Sequence, residues 1–234
     1  MTVTGILGLG FALGMRHATD ADHVVAVSAI VARERTLRAA APIGILWGLG
    51  HTVTVFLVGG VIILFDVVIP PHVGLAMEFC VALMLVLLGA LNIGQLVRKR
   101  YALSHAHASH AHGHPHASSV NEPRPRSMRP LWIGTIHGLA GSAAIALLVL
   151  GTIRDAFWAL GYLVVFGAGT LAGMLLITLA LALPVAATAR RFERLHRTLG
   201  VLTGVVSLAF GALLIYDIAF VHRLFSANPH WTPQ

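Results

Sequence analysis

The stretch Gly14-Met15-Arg16-His17-Ala18-Thr19-Asp20-Ala21-Asp22-His23-Val24 lies inside an apolar run from Thr4 to Val31. Four ionisable side chains, His17, Asp20, Asp22 and His23, fall within seven residues of it. On insertion scales a charged group at the bilayer centre costs roughly 2.5–3.5 kcal/mol, so such groups face a cavity, a counter-charge or an ion. The run itself exceeds the ~20 residues that a membrane-spanning helix needs.

The rest of the chain supports a membrane reading. Of 234 residues, 57% are hydrophobic and 11% charged, and the mean hydropathy is +0.82. Soluble domains carry about 25% charged residues. The chain's composition argues against a soluble globular enzyme and against a disordered chain. A single cysteine excludes a disulfide framework and any cysteine-based zinc or iron–sulfur site. The formal charge of +7 does not point to nucleic acid, because the basic residues sit in short stretches between apolar segments.

Six segments qualify as spans: Thr4–Val31, Pro42–Phe65, Val73–Val97, Leu131–Leu150, Phe157–Leu183 and Thr198–Phe220. The expected fold is therefore an all-α polytopic membrane protein with six transmembrane helices. No basic residue precedes Arg16, so the N-terminus does not read as a signal peptide. Of the 16 Lys and Arg residues, all but Arg16, Arg154 and Arg223 fall in the loops after spans one, three and five. The positive-inside rule puts those loops in the cytoplasm and both termini outward. The expected location is the inner (cytoplasmic) membrane, multi-pass.

The two halves resemble each other. Gly14 and His17 match Gly134 and His137, 120 residues later; Gly48-Leu49-Gly50 matches Gly167-Ala168-Gly169, 119 later; Gly89-Ala90-Leu91 matches Gly211-Ala212-Leu213, 122 later. A unit of three spans is odd, so its repeat is inverted in the membrane, a common transporter plan. The chain then divides into a first three-helix repeat (1–97), a loop (98–130) and a second three-helix repeat with an outward tail (131–234).

On a regular helix, His17, Asp20 and His23 share one face and Asp22 points elsewhere. Asp22 could then pair with Arg16 or orient a ligand histidine; if the helix is broken, Asp22 joins the site. By rise per residue, His51 and His137 reach the same central zone as His17 and His23. Imidazole with carboxylate suits divalent first-row metals. A buried ion-pair network with Arg16 that only fixes helix packing, and a proton relay, are the alternatives. The candidate metal residues are His17, Asp20, Asp22, His23, His51 and His137.

Arg16-His17-Ala18-Thr19-Asp20-Ala21-Asp22-His23 resembles the R-H-A-x-D-A-D-H signature of the nickel/cobalt transporter family, and Gly50-His51-Thr52 resembles its G-H-S/T signature. The resemblance implies a secondary permease that recognises Ni²⁺ or Co²⁺ through the H-x4-D-H core, here His17, Asp22 and His23. Members usually have eight spans, one of them before this helix, and this chain starts too close to the motif to hold it. The family's later signatures are not found. The pattern resembles the shorter, urease-associated (UreH-like) permease branch. Exporters of the wider superfamily tend to carry Pro-Gly before the last histidine; Ala21-Asp22 stands there, which favours an importer.

The loop between spans three and four carries His105, His107, His110, His112, His114 and His116. Imidazoles so clustered bind nickel, copper or zinc. A metal-holding loop and a solvated linker with incidental affinity both fit, and a metallochaperone is a candidate partner there. The function expected is import of Ni²⁺ first and Co²⁺ second, as substrate. No prosthetic group, nucleic acid or enzymatic activity is expected, and no Walker A pattern is present. An exporter and a non-transporting metal-delivery protein or metalloenzyme are the alternatives. Glu78 and Asp217 could rim an access path, Asn92 and Gln95 could hydrogen-bond between helices, and Trp231 reads as an interfacial anchor.

Overall fold

A computed structural model describes residues 3–32, 34–65, 67, 69–106, 128–139, 153, 155–226 and 228–231. The described residues hold seven α-helices and no strand: α1 (Val3–His17), α2 (Ala21–Val31), α3 (Leu37–Phe65), α4 (Pro71–Ala106), α5 (Arg129–His137), α6 (Ala156–Arg191) and α7 (Glu193–Tyr216). A π-helical turn, Asp217–Val221, continues α7.

Four stretches are long and apolar enough to cross a membrane: Leu37–Phe65, Pro71–Gln95, Ala156–Thr188 and Glu193–Val221. They match spans two, three, five and six expected from hydropathy. Their outward faces carry Leu57, Phe65, Leu87, Leu176, Leu213 and Phe220, all exposed. A row of exposed large apolar residues on every long helix is a surface made for lipid tails rather than water.

Local chemistry sets the helix ends. Thr36 accepts from Ala39 N through its Oγ1 (3.2 Å) and opens α3. Pro71 pre-sets the first turn of α4, where its missing N–H is not needed. The carboxylate of Asp155 caps α6, accepting from Phe157 N (2.9 Å) and Trp158 N (3.1 Å).

The first apolar run is not one helix. It breaks after His17, and Ala18, Thr19 and Asp20 form a turn before α2 begins. The turn closes the end of α1, with Thr19 N and Oγ1 on Arg16 O and Asp20 N on His17 O. The fourth run is helical from Arg129 to His137; residues 140–152, its continuation, lie outside the described residues, as do Arg154 and the loop stretch 107–127. The histidines at 107, 110, 112, 114 and 116 therefore lie outside them too; His105 falls in α4.

Helix packing follows the repeat offsets. α1 packs on α6 as α5 packs on α3; α3 packs on α6, and α4 on α7. A methyl group on Gly14 would strike the Phe166 carbonyl, and one on Gly134 the Trp47 carbonyl, so glycine is what lets these backbones touch. Gly169 meets Phe11 and Gly50 meets Leu131 in the same way. Gly89 lies against Gly204 and Leu208, and Gly211 against Ala82 and Val86. In all three sets the second contact is the first displaced by 119 to 122 residues on both sides.

Buried polar groups tie the helices together. Asn92 donates through Nδ2 to Gly200 O (3.0 Å) and Thr203 Oγ1 (3.3 Å), and Ser207 Oγ donates to Leu85 O (2.8 Å). Thr54 Oγ1 lies 3.0 Å from the carbonyls of both Gly50 and Thr135, linking α3 to α5.

Candidate metal centre

The centre forms where the break between α1 and α2 and the end of α5 meet α3. His17 is the last residue of α1, and His137 the last of α5. Their helices therefore point their C-terminal, negative ends toward the same place, which favours a cation there. His23 comes from the first turn of α2, and His51 from the middle of α3. All four histidines are buried, with exposures of 5% for His17, 1% for His51 and 0% for His23 and His137.

Neighbouring rings are packed edge to face, apart from the tilted pair His17–His51. Centroid separations are 4.2 Å for His23–His137, 4.7 Å for His17–His23, 5.0 Å for His17–His51 and 5.1 Å for His23–His51. His17 Nε2 lies 3.1 Å from His51 Nε2. Asp22 Oδ1 lies 3.0 Å from His23 Nδ1, and Asp22 Oδ2 lies 3.0 Å from His137 Nε2.

The helix break decides which carboxylate reaches the middle. A regular helix would turn Asp22 away from His17 and His23. With the turn at 18–20, Asp22 instead starts α2 and points between His23 and His137. It does not take the alternative of pairing with Arg16, whose side chain is exposed. Asp20 sits at the edge, 37% exposed, and accepts from His17 Nδ1 at 2.9 Å. That contact turns His17 Nε2 inward, the usual way a carboxylate orients a metal-binding imidazole.

Among the described residues, two sets of donors have atoms within 4.8 Å of one another: His17, His23 and His51; and Asp22, His23 and His137. His23 belongs to both. His23 Nε2, His51 Nδ1 and both ring nitrogens of His137 are buried without a hydrogen bond. The His137–Asp22 contact is close in distance but poorly aligned for a hydrogen bond. Buried polar atoms without hydrogen bonds are rare. Several in one cluster of metal-type donors make it a candidate site for an ion.

Two aromatic walls were not singled out from the sequence. Trp47 lies parallel to His23 at 5.9 Å and edge-on to His137 at 5.5 Å; Phe166 lies 5.6 Å from His17. Trp47 and Phe166 are 119 residues apart, so each half supplies one wall to the other half's terminal histidine. The signal was the 119-residue glycine offset. The same offset puts Thr170 where His51 stands. Thr170 is buried and donates to Phe166 O within its own helix (3.0 Å), so this position carries a metal-type donor in one half only.

The outer carboxylates lie elsewhere. Glu78 accepts from Trp231 Nε1 (3.0 Å), and Asp217 lies 3.3 Å from His222 Nε2. Trp231 packs over Gly74, so it is held by protein rather than standing free as an anchor.

Long apolar helices around a buried set of imidazoles and one carboxylate define a polytopic helical membrane protein with a candidate transition-metal centre. The chain is 39% identical over 220 residues to a urease accessory protein UreH from Bacillus sp. (strain TB-90), covering 94% of each chain. It belongs to the UreH family, the branch that its first-span motif resembles. No family model and no solved structure matches it.

Proposed function

We propose that the protein is a secondary permease that imports a divalent transition metal, Ni²⁺ first and Co²⁺ second, across the cytoplasmic membrane. The observation that carries this reading is the buried cluster of His17, Asp22, His23, His51 and His137 where the break between α1 and α2 meets the end of α5 and the middle of α3. Packing alone is a poor reason for it: apolar residues would fill the space without the cost of burying a carboxylate and unpaired ring nitrogens. Interrupted helices at a central ion site are the plan that secondary transporters use.

The architecture that goes with this function has six spans in two inverted three-helix units. α1 and α2 together make the first span, and α5 opens the fourth. The displaced contact pairs support it, because a two-fold relation predicts that Gly14–Phe166 recurs as Gly134–Trp47. The basic loops put both termini outside and the histidine-rich loop inside, where it takes up metal or passes it to a metallochaperone. Transport is driven by an ion gradient or by the membrane potential, and the chain has no catalytic role. The relative's printed name joins it to urease, a nickel enzyme, which supports nickel as the first substrate.

The test is the metal content of cells expressing the chain against cells expressing His17→Ala at matched protein levels. Nickel, cobalt, zinc, iron and manganese are quantified together at low external metal. A rise in nickel or cobalt that the variant abolishes supports import through this centre. A motif-dependent fall reverses the direction, and no change in either metal removes the transport reading in favour of delivery.

A further inference from the structure

The five central side chains do not form one shell. Their donors fall into two trios that overlap only at His23. Two ligands bound to one ion at 2.0–2.1 Å are roughly 2.8–3.4 Å apart when cis and about 4.2 Å apart when trans. The His17 Nε2–His51 Nε2 spacing of 3.1 Å and the Asp22 Oδ2–His137 Nε2 spacing of 3.0 Å each match a cis pair on a separate ion position. The oxygens of Asp22 are both turned to the second trio, one to His23 and one to His137. His23 has two ring nitrogens on opposite sides of the ring: Nδ1 faces Asp22, and Nε2 is buried with no hydrogen bond.

We propose that the centre holds two adjacent ion positions that share His23. One is all-imidazole, built from His17, His23 and His51. The other is mixed, built from Asp22, His23 and His137, and carries the carboxylate charge. The cargo ion passes between them with His23 as the ligand common to both, exchanging two ligands while keeping one neighbour. The proposal rests on the permease reading. It adds that the second half of the chain enters at one position only: the first position uses no donor from it, and the second needs His137 beside Asp22 and His23.

The test uses the full chain in detergent, with His105, His107, His110, His112, His114 and His116 changed to serine in every sample. Co²⁺ is the probe, read by its visible bands and by X-ray absorption. His137→Ala is expected to keep cobalt in an all-nitrogen environment, and His51→Ala to keep it in a mixed nitrogen and oxygen environment. Each is expected to bind within about tenfold of the parent, while His23→Ala loses about a hundredfold. Neither single variant accumulates metal in cells, because transfer needs both positions.

Identical spectra for His51→Ala and His137→Ala would overturn the proposal, as would losses equal to that of His23→Ala. If an alanine variant does not elute as folded protein, the glutamine variant at the same position replaces it. Failure of the parent chain to move metal in cells counts against the permease reading alone, since the spectra decide the two positions independently.

Discussion

The carboxylate of Asp22, from the first half of the chain, lies 3.0 Å from Nε2 of His137, the last residue of a helix in the second half. No other imidazole–carboxylate contact in the centre crosses between the halves among the described residues. Asp22 also holds His23 Nδ1 at 3.0 Å, so one carboxylate sets the position of two rings.

Asp22→Asn keeps the size and removes the charge. The new amide can accept from only one ring at a time, so either His23 or His137 loses its anionic neighbour. Carboxylates that orient metal-binding histidines are typically worth 10–100-fold in affinity. Nickel accumulation in cells at low external metal is expected to fall by at least about tenfold, with protein level and elution volume unchanged. Uptake within twofold of the parent would show that Asp22 has no part in the site.

The membrane character, the four long helices and the histidines of the centre were legible in the sequence because hydropathy and ionisable residues in apolar runs are one-dimensional signals. The role of Asp22 was legible only as an alternative. A regular helix at 100° per residue turns it away from His17, and nothing in Ala18-Thr19-Asp20 marks a break as clearly as proline would. Hydrogen bonds from Thr19 and Asp20 back to Arg16 and His17 end the helix there. Trp47 and Phe166 were missed because an aromatic in an apolar span carries no signal alone; only their 119-residue offset marks them. Trp231 read as an interfacial anchor because its seat, Gly74, is 157 residues away in sequence.

The crossing of α5 and α3 rests on Gly134. A methyl group there would meet the carbonyl and the ring of Trp47, and backbone cannot move aside as a side-chain tip can. Gly134→Ala is expected to cost about 1–3 kcal/mol, the usual range for overpacking, and to displace the Trp47 wall from His137. Gly8→Ala is the control, since nothing lies within 4 Å of its added methyl. Thermal unfolding in detergent should show a lower Tm for the first variant and no loss for the second. Equal behaviour would mean that the close approach is not needed.

Asn92 is buried at 1% exposure and ties α4 to α7 through Gly200 O and Thr203 Oγ1. Interhelical hydrogen bonds inside membranes average about 0.6 kcal/mol and reach about 1.7. Asn92→Leu is expected to fall in that range by reversible unfolding, because the carbonyl of Gly200 retains its own helix bond. Nickel uptake should hold, since Gly200 and Thr203, to which Asn92 donates, lie on α7 and supply nothing to the central cluster. A loss of uptake without a loss of stability would instead place Asn92 on the ion's path.

The chain after the π-helical turn folds back across the start of α4. Arg223 takes a left-handed backbone (φ 55°), a conformation that costs a non-glycine residue energy, so contacts made by the tail must hold the turn. His230 N donates to His222 O (3.1 Å), and the indole of Trp231 covers Gly74 while donating to Glu78. Trp231→Ala removes the ring and the hydrogen bond together. A half-buried indole with one bond to a carboxylate is worth about 2–3 kcal/mol, which exceeds what holds most chain ends in place. The tail of the variant is expected to be cut by protease from Arg223 onward at least tenfold faster than that of the parent, with the helical core intact by mass spectrometry. Glu78→Gln should give a smaller increase, because its side-chain oxygen still accepts from the indole. If Trp231→Ala is cut no faster than the parent, the Trp231 seat on Gly74 does not hold the tail.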